Sequence, residues 1–208
     1  MARLALFVDY QNTYKGAREA FHSWNDFQTC GQIHPLLLGQ QIVSKDAYDN
    51  ELTAIRVYRG RPDSLKDPRG YSANLRQCMA WEASSPLLKV IWRTLRYPRD
   101  WPEEKAEEKG IDVALAIDVV AMAVRKEYDV GVVMSTDTDI KPALEAVVSL
   151  GGNPFPRVAV AAWSSPDRHS RRLSIAGRQL WCFWLDENDY QAVADQTNYA
   201  APATSADS

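Results

Sequence analysis

Leu4-Ala5-Leu6-Phe7-Val8 runs directly into Asp9-Tyr10-Gln11-Asn12. Five apolar residues in a row, with no polar alternation, describe a strand covered on both faces, as in a parallel sheet sandwiched by helices. An acid closing such a run lies at the carboxyl edge of the sheet, where open α/β folds bind their ligands. Outward from this stretch, strand-like and helix-like patterns alternate, predicting an α/β fold with a mainly parallel sheet. Helices are expected from Thr13, as N-cap, to about Trp24, over Pro35–Lys45, Tyr71–Ala83 and Ile111–Lys126, and over Ile140–Leu150, closed by Gly151-Gly152. Strands are expected over Leu52–Tyr58, Leu87–Leu95, Asp129–Met134, Arg157–Trp163 and Trp181–Leu185. Arg59–Gly70 and Arg96–Lys109 read as long loops. The Ile111–Lys126 helix is apolar on nearly every face and is expected to be well buried.

Composition bounds the function. The 208 residues, 46% hydrophobic and 25% charged, fit one ordinary globular domain, expected over residues 1–190, with 191–208 as a flexible tail lacking Lys and Arg. A net charge of −3 gives no bulk sign of a nucleic-acid partner, so any basic surface must be local. Cys30, Cys78 and Cys182 are far apart, form no CxxC pair and have no His at zinc spacing, which argues against structural zinc and for a reducing compartment. The first apolar run is too short for a signal-peptide core, and no stretch approaches the roughly 20 apolar residues of a membrane span. The expectation is a soluble cytoplasmic protein with no membrane partner.

The informative feature is where the acids fall. Asp9 ends the first strand, Asp112 opens the apolar helix, and Asp137 and Asp139 follow the Asp129–Met134 strand within Ser135-Thr136-Asp137-Thr138-Asp139. All four are predicted to meet at one sheet edge. Carboxylates packed together resist ionisation unless a cation neutralises them, and oxygen donors without His or Cys suit Mg²⁺ or Mn²⁺. A metal so held can activate water against a phosphodiester. Each acid also has a plainer reading: Asp9 a turn cap, Asp112 a helix-dipole partner, Asp137 or Asp139 a cap of the next helix. Asp118 lies roughly 120° round the helix from Asp112 and needs a partner, for which the Ser135/Thr136 backbone is the candidate.

An acidic site facing a polyanion needs basic walls. Arg59 and Arg61 belong to an Arg-rich stretch (Arg56–Arg76), Arg93, Arg96 and Arg99 are interleaved with Tyr97 and Trp101, and Arg157, Arg168, Arg171, Arg172 and Arg178 form a third group. Such loops can hold phosphates and stack unpaired bases. Lys109 either contacts a scissile phosphate or restrains Asp112. Trp81, Trp92, Trp181 and Trp184 are expected in the core, Trp101 and Trp163 at the surface, and His22 and His34 lack matched partners.

Asp9-Tyr10-Gln11-Asn12, Lys109-Gly110-Ile111-Asp112 with Asp118, and Ser135-Thr136-Asp137-Thr138-Asp139-Ile140 together resemble the NYN domain of the PIN-like nuclease superfamily, including its LabA-like bacterial branch. The resemblance runs from residue 3 to about 186. It implies a doubly wound, mainly parallel sheet of five or six strands with helices on both faces, and a metal-dependent endoribonuclease. Matched by position, Asp9, Asp112, Asp137 and Asp139 become metal and catalytic acids, Asn12 orients a ligand or water, and Asp118 matches the family's second helix acid. Lys109, Arg59, Arg61, Arg168, Ser135 and Thr136 are the substrate-binding candidates. The expected partner is RNA, single-stranded or in structured loops, with DNA as second substrate class; exposed aromatic loops allow a homodimer without demanding one. Thr136 stands where the family usually has Gly, which suggests a turn less permissive of close phosphate approach. The competing readings are an RNA-binding or regulatory domain without turnover, and an aspartyl-phosphate phosphatase, disfavoured by Gln11 in place of a second acid.

Overall fold

The computed structural model describes residues 1–23, 25–151, 156–167 and 171–201. Its strands are β1 (Arg3–Asp9), β2 (Glu51–Arg61), β3 (Leu88–Thr94), β4 (Val130–Met134), β5 (Arg157–Trp163) and β6 (Cys182–Leu185). Its helices are α1 (Tyr10–Phe21), α2 (Pro35–Ser44), α3 (Pro68–Ser84), α4 (Ile111–Val124), α5 (Lys141–Ser149) and α6 (Glu187–Val193). All strand pairs are parallel, in the order β3-β2-β1-β4-β5-β6. The chain lays down β1, β2 and β3 in one direction and then returns to place β4, β5 and β6 on the other side of β1. The β1/β4 junction is therefore the topological switch point, where a crevice opens beyond the strand ends.

Alternation along β1 divides its side chains between two cores. Leu4, Leu6 and Val8 pack with α1, α2, α3 and α6 residues on one face, and Ala5 and Phe7 with those of α4 and α5 on the other. Helices on both faces leave the first strand buried throughout, as its unbroken apolar run predicts.

Several local expectations change. Asp9, not Thr13, caps α1: its side chain accepts from Asn12 N, while the Thr13 hydroxyl donates to Met134 O across the switch point. The expected Arg59–Gly70 loop shortens from both ends. Arg59, Gly60 and Arg61 continue β2 by pairing with Trp92, Arg93 and Thr94, and α3 begins at Pro68 behind the Asp67 cap. The α4 helix buries one face against the sheet and α5, but Val113, Ile117 and Val124 stand 55, 59 and 53% exposed on the other, so its all-round apolarity is not matched by all-round burial.

Among the tryptophans, Trp81 is a core residue, but Trp92, on edge strand β3, and Trp181 and Trp184, at edge strand β6, are exposed. Trp163 is buried instead, its Nε1 donating to Thr13 O at 2.9 Å, and Trp101 is half-buried, edge-on to Tyr97. The expected tail boundary falls inside α6, which a reciprocal Asp186/Asp189 capping box starts. Past that boundary Val193 and Asp195 are buried, Trp81 Nε1 donates to Asp195, and Arg76 binds Tyr199 O, so the chain is anchored to the domain as far as Tyr199. The rest of the expected tail lies outside the described residues.

Candidate active site

The switch point is held together by Asp9, Asn12, Ser135, Thr136 and Asp137. Asp9 ends β1 and its carboxylate accepts from Asn12 N at 3.1 Å and from the Ser135 hydroxyl at 3.1 Å. Ser135 Oγ in turn accepts from Asp137 N at 3.0 Å, and the Asn12 side-chain oxygen accepts from Thr136 N at 2.9 Å and Thr136 Oγ1 at 3.1 Å. These bonds fasten the start of α1 to the turn after β4. They give Ser135 and Thr136 a positioning role, and they occupy the Asn12 oxygen expected to orient a ligand.

Asp9 is buried, and its carboxyl is pushed up to about 6, first by burial and then by the charges of Glu108 and Asp137; the Asn12 and Ser135 hydrogen bonds pull the other way. Glu108 is itself raised, chiefly by burial, and the charge of Asp112 adds to the effect while Arg59 and Lys15 oppose it. Asp9, Asp137, Glu108 and Asp112 thus form a chain of like charges. Among the described residues none of the four has a Lys, Arg or His nitrogen within 4.0 Å.

Glu108 was not among the residues singled out from sequence. It lies in the expected Arg96–Lys109 loop, yet Gly60 N donates to its Oε1 and pins it beside β2. Its position one residue before Lys109-Gly110-Ile111-Asp112 was the available signal.

The other expected site residues divide. Asp137 caps the 3-10 turn Thr138–Ile140 by accepting from Asp139 N. Asp139 is exposed, and its charge is not among those that raise Asp9. Asp118 leaves the cluster altogether. Six residues along α4 carry it about 9 Å from Asp112, and it accepts from the Tyr58 hydroxyl at 2.8 Å rather than meeting the Ser135/Thr136 backbone. Lys109 is exposed without an ion pair among the described residues. Thr136 carries no positive φ, so glycine's freedom is not needed there and its hydroxyl adds a bond to Asn12.

Two clefts flank the start of α1. The larger, about 910 Å³, is lined by Tyr10, Lys15, Arg59, Gln77, Lys105 and Glu108 among others. Arg59 is stacked against Tyr10 (4.8 Å to the ring centre) and Trp81 (5.3 Å), donates to Gln77 Oε1 at 2.6 Å, and keeps its buried Nε without a partner. Arg61 is buried over the Trp92 ring at 3.9 Å and donates to Asn74, so it serves packing. The smaller cleft, about 370 Å³, is lined by Asn12, Thr13, Ser135, Thr136, Trp163 and Arg171. Arg168 lies outside the described residues.

The donors at the switch point are carboxylate oxygens without a Lys, Arg or His partner among the described residues, and burial and neighbouring negative charge raise the proton affinity of Asp9 and Glu108, which is the chemistry a hard divalent cation satisfies. In the present arrangement no three of these acids, among the described residues, bring oxygens within 4.8 Å of one another. Closing the set requires side-chain movement.

A doubly wound parallel sheet with unpaired acids at its switch point defines a class of α/β proteins whose site is assembled from the ends of neighbouring strands. This chain belongs to the NYN domain family, which matches residues 3–153, and so to the PIN-like nuclease superfamily. Among solved structures it is similar to a protein of unknown function from Vibrio parahaemolyticus, at 21% identity over 77% of this chain and 80% of that one, with a TM-score of 0.48. No curated protein matches the chain. No described helix is long and apolar enough to cross a membrane.

Proposed function

We propose that the protein is a metal-dependent endonuclease that cleaves RNA at the β1/β4 switch point. The observation that carries this reading is Asp9, which has no Lys, Arg or His partner among the described residues and whose carboxyl is raised first by burial and then by the charges of Glu108 and Asp137, at the edge where the fold binds ligands. Asp9, Asp137 and Asp112 would hold Mg²⁺ or Mn²⁺, with Glu108 adding negative charge and exposed Asp139 a further donor at the rim. Such an ion polarises a phosphate and lowers the pKa of water for in-line attack.

The chain's own residues supply the rest. Ser135 and Asn12 N–H fix the Asp9 carboxylate, and Asn12 with Thr136 locks the turn that presents Asp137. Arg59, Lys15 and Lys105 line one side of the acids and Arg171 the other, so a phosphate backbone crossing the start of α1 would meet cations on both flanks. Tyr14 and Tyr199 line the larger cleft and offer faces on which unpaired bases stack. This favours single-stranded or looped RNA, handled in the cytoplasm.

The test is cleavage of labelled single-stranded RNA and matched DNA in Mn²⁺, Mg²⁺ or EDTA, with Asp137→Asn alongside. Products that need the metal and vanish in Asp137→Asn are expected, with RNA preferred. RNA binding without products would instead favour a regulatory domain, and full activity in Asp137→Asn would remove the assignment of the acids.

A further inference from the structure

A second group of metal-binding side chains lies away from the acids. His22, Asp26 and Cys30 each present a ligand atom, and these atoms lie within 4.8 Å of one another. Their sequence spacing matches no common zinc motif, so the trio is invisible until the loop folds. His22 follows the last residue of α1, and Asp26 N donates to Ser23 O and Cys30 N to Phe27 O in the connection that follows it. Arg18 holds this connection in place: its guanidinium donates to the carbonyls of Asp26, Phe27 and Cys30.

We infer that His22 Nδ1, an Asp26 carboxylate oxygen and the Cys30 thiolate form a transition-metal site for Zn²⁺. His22 Nδ1 and Asp26 Oδ2 are 3.5 Å apart. Two ligands sharing a tetrahedral zinc at about 2.0–2.1 Å each sit about 3.4 Å apart, so the pair already has the separation of metal ligands. The outer contacts fit as well. His22 Nε2 lies 2.9 Å from the Tyr190 hydroxyl, which also accepts from Gly31 N at 2.8 Å. Metal on Nδ1 leaves the proton on Nε2, where it is donated to Tyr190, the arrangement that fixes the ring of a metal-ligating histidine.

One nitrogen, one oxygen and one sulfur select Zn²⁺ or Co²⁺ over Mg²⁺ and Mn²⁺, and leave a fourth position for water. Binding releases the Cys30 thiol proton. The two anionic ligands then balance the ion's charge, while the Arg18 charge is spread over three carbonyls. The 12 residues of α1 span about 18 Å, which separates this site from the acids at the helix's other end. Its role is to tie the α1–α2 connection to α1 and, through Tyr190, to α6. It does not depend on the nuclease reading.

The test is titration of the metal-stripped full-length protein with Co²⁺, followed by Zn²⁺ competition. One tightly bound Co²⁺ with tetrahedral d–d bands and a thiolate-to-metal charge-transfer band, displaced by Zn²⁺, is expected. Asp137→Asn should keep both signals and Cys30→Ser should lose the charge-transfer band. Tyr190→Phe should weaken Co²⁺ about 10–100-fold. Absence of the band would overturn the assignment, and so would its persistence in Cys30→Ser, which would make Cys78 or Cys182 the source. If Cys30→Ser fails to fold, His22→Gln gives the same reading, with unchanged tetrahedral bands counting against the site.

Discussion

β1 and β4 lie side by side, and the acids at their two ends have opposite fates. At the amino end, Asp129 meets Arg3 through a 2.9 Å ion pair, a further side-chain bond and the Arg3 backbone N–H, which hold its carboxyl below the ordinary range. At the carboxyl end, Asp9 is buried beside Glu108 and Asp137 and its carboxyl is pushed up to about 6. Residue type and strand pair are the same; the partners differ. A satisfied acid stabilises the fold, whereas one kept short of a cation is available to something that binds.

The largest expected effect of breaking this contrast is on activity. Asp137→Asn should reduce metal-dependent RNA cleavage on the order of a thousandfold, with an unchanged thermal midpoint, measured on the same preparation. Asp9→Asn should also abolish cleavage yet stabilise the metal-free protein by on the order of 2 kcal/mol at pH 7, measured by urea unfolding. The sign follows from a folded pKa raised above the unfolded one. Between about pH 4 and 6 the folded state binds more protons, so Asp9 makes the wild type lose stability as pH rises through that window. Asp9→Asn should flatten that slope.

Arg59→Met sharpens the contrast from the substrate side. It keeps bulk against Tyr10 and Trp81 but removes the charge, and should weaken RNA binding about tenfold with a shallower salt dependence. Asp129→Asn is expected to do least: it cuts a solvent-screened surface pair, whose contribution to stability is small, and should leave cleavage unchanged. Cleavage that depended on Asp129 as strongly as on Asp137 would erase the distinction between the two ends.

Much of this was legible in the sequence because the decisive signals are local. The apolar run into Asp9, Pro35 opening α2, and the strand before Ser135 each carry their own boundary, and together they place Asp9 and Asp137 at one sheet edge. What escaped depends on contacts distant in the chain. Trp92 and Trp184 look like core residues until the sheet order makes their strands the edges. Asp118 looks like a site acid until Tyr58 is seen to hold it, and Glu108 is one more acid of a polar loop until Gly60 fixes it. The α6 helix hid in a polar stretch because its anchors, Asp189 to Gln41 and Lys45 and Tyr190 to Gly31, cross more than a hundred residues.

The most direct test of the central claim is Mn²⁺ binding to wild type, Asp9→Asn, Asp137→Asn and Asp129→Asn, followed by the electron spin resonance of free Mn²⁺. Wild type and Asp129→Asn should bind alike, and Asp9→Asn and Asp137→Asn should each weaken binding by more than about tenfold. Equal binding by all four would mean that the acids at the switch point hold no metal, and the nuclease reading would lose its foundation.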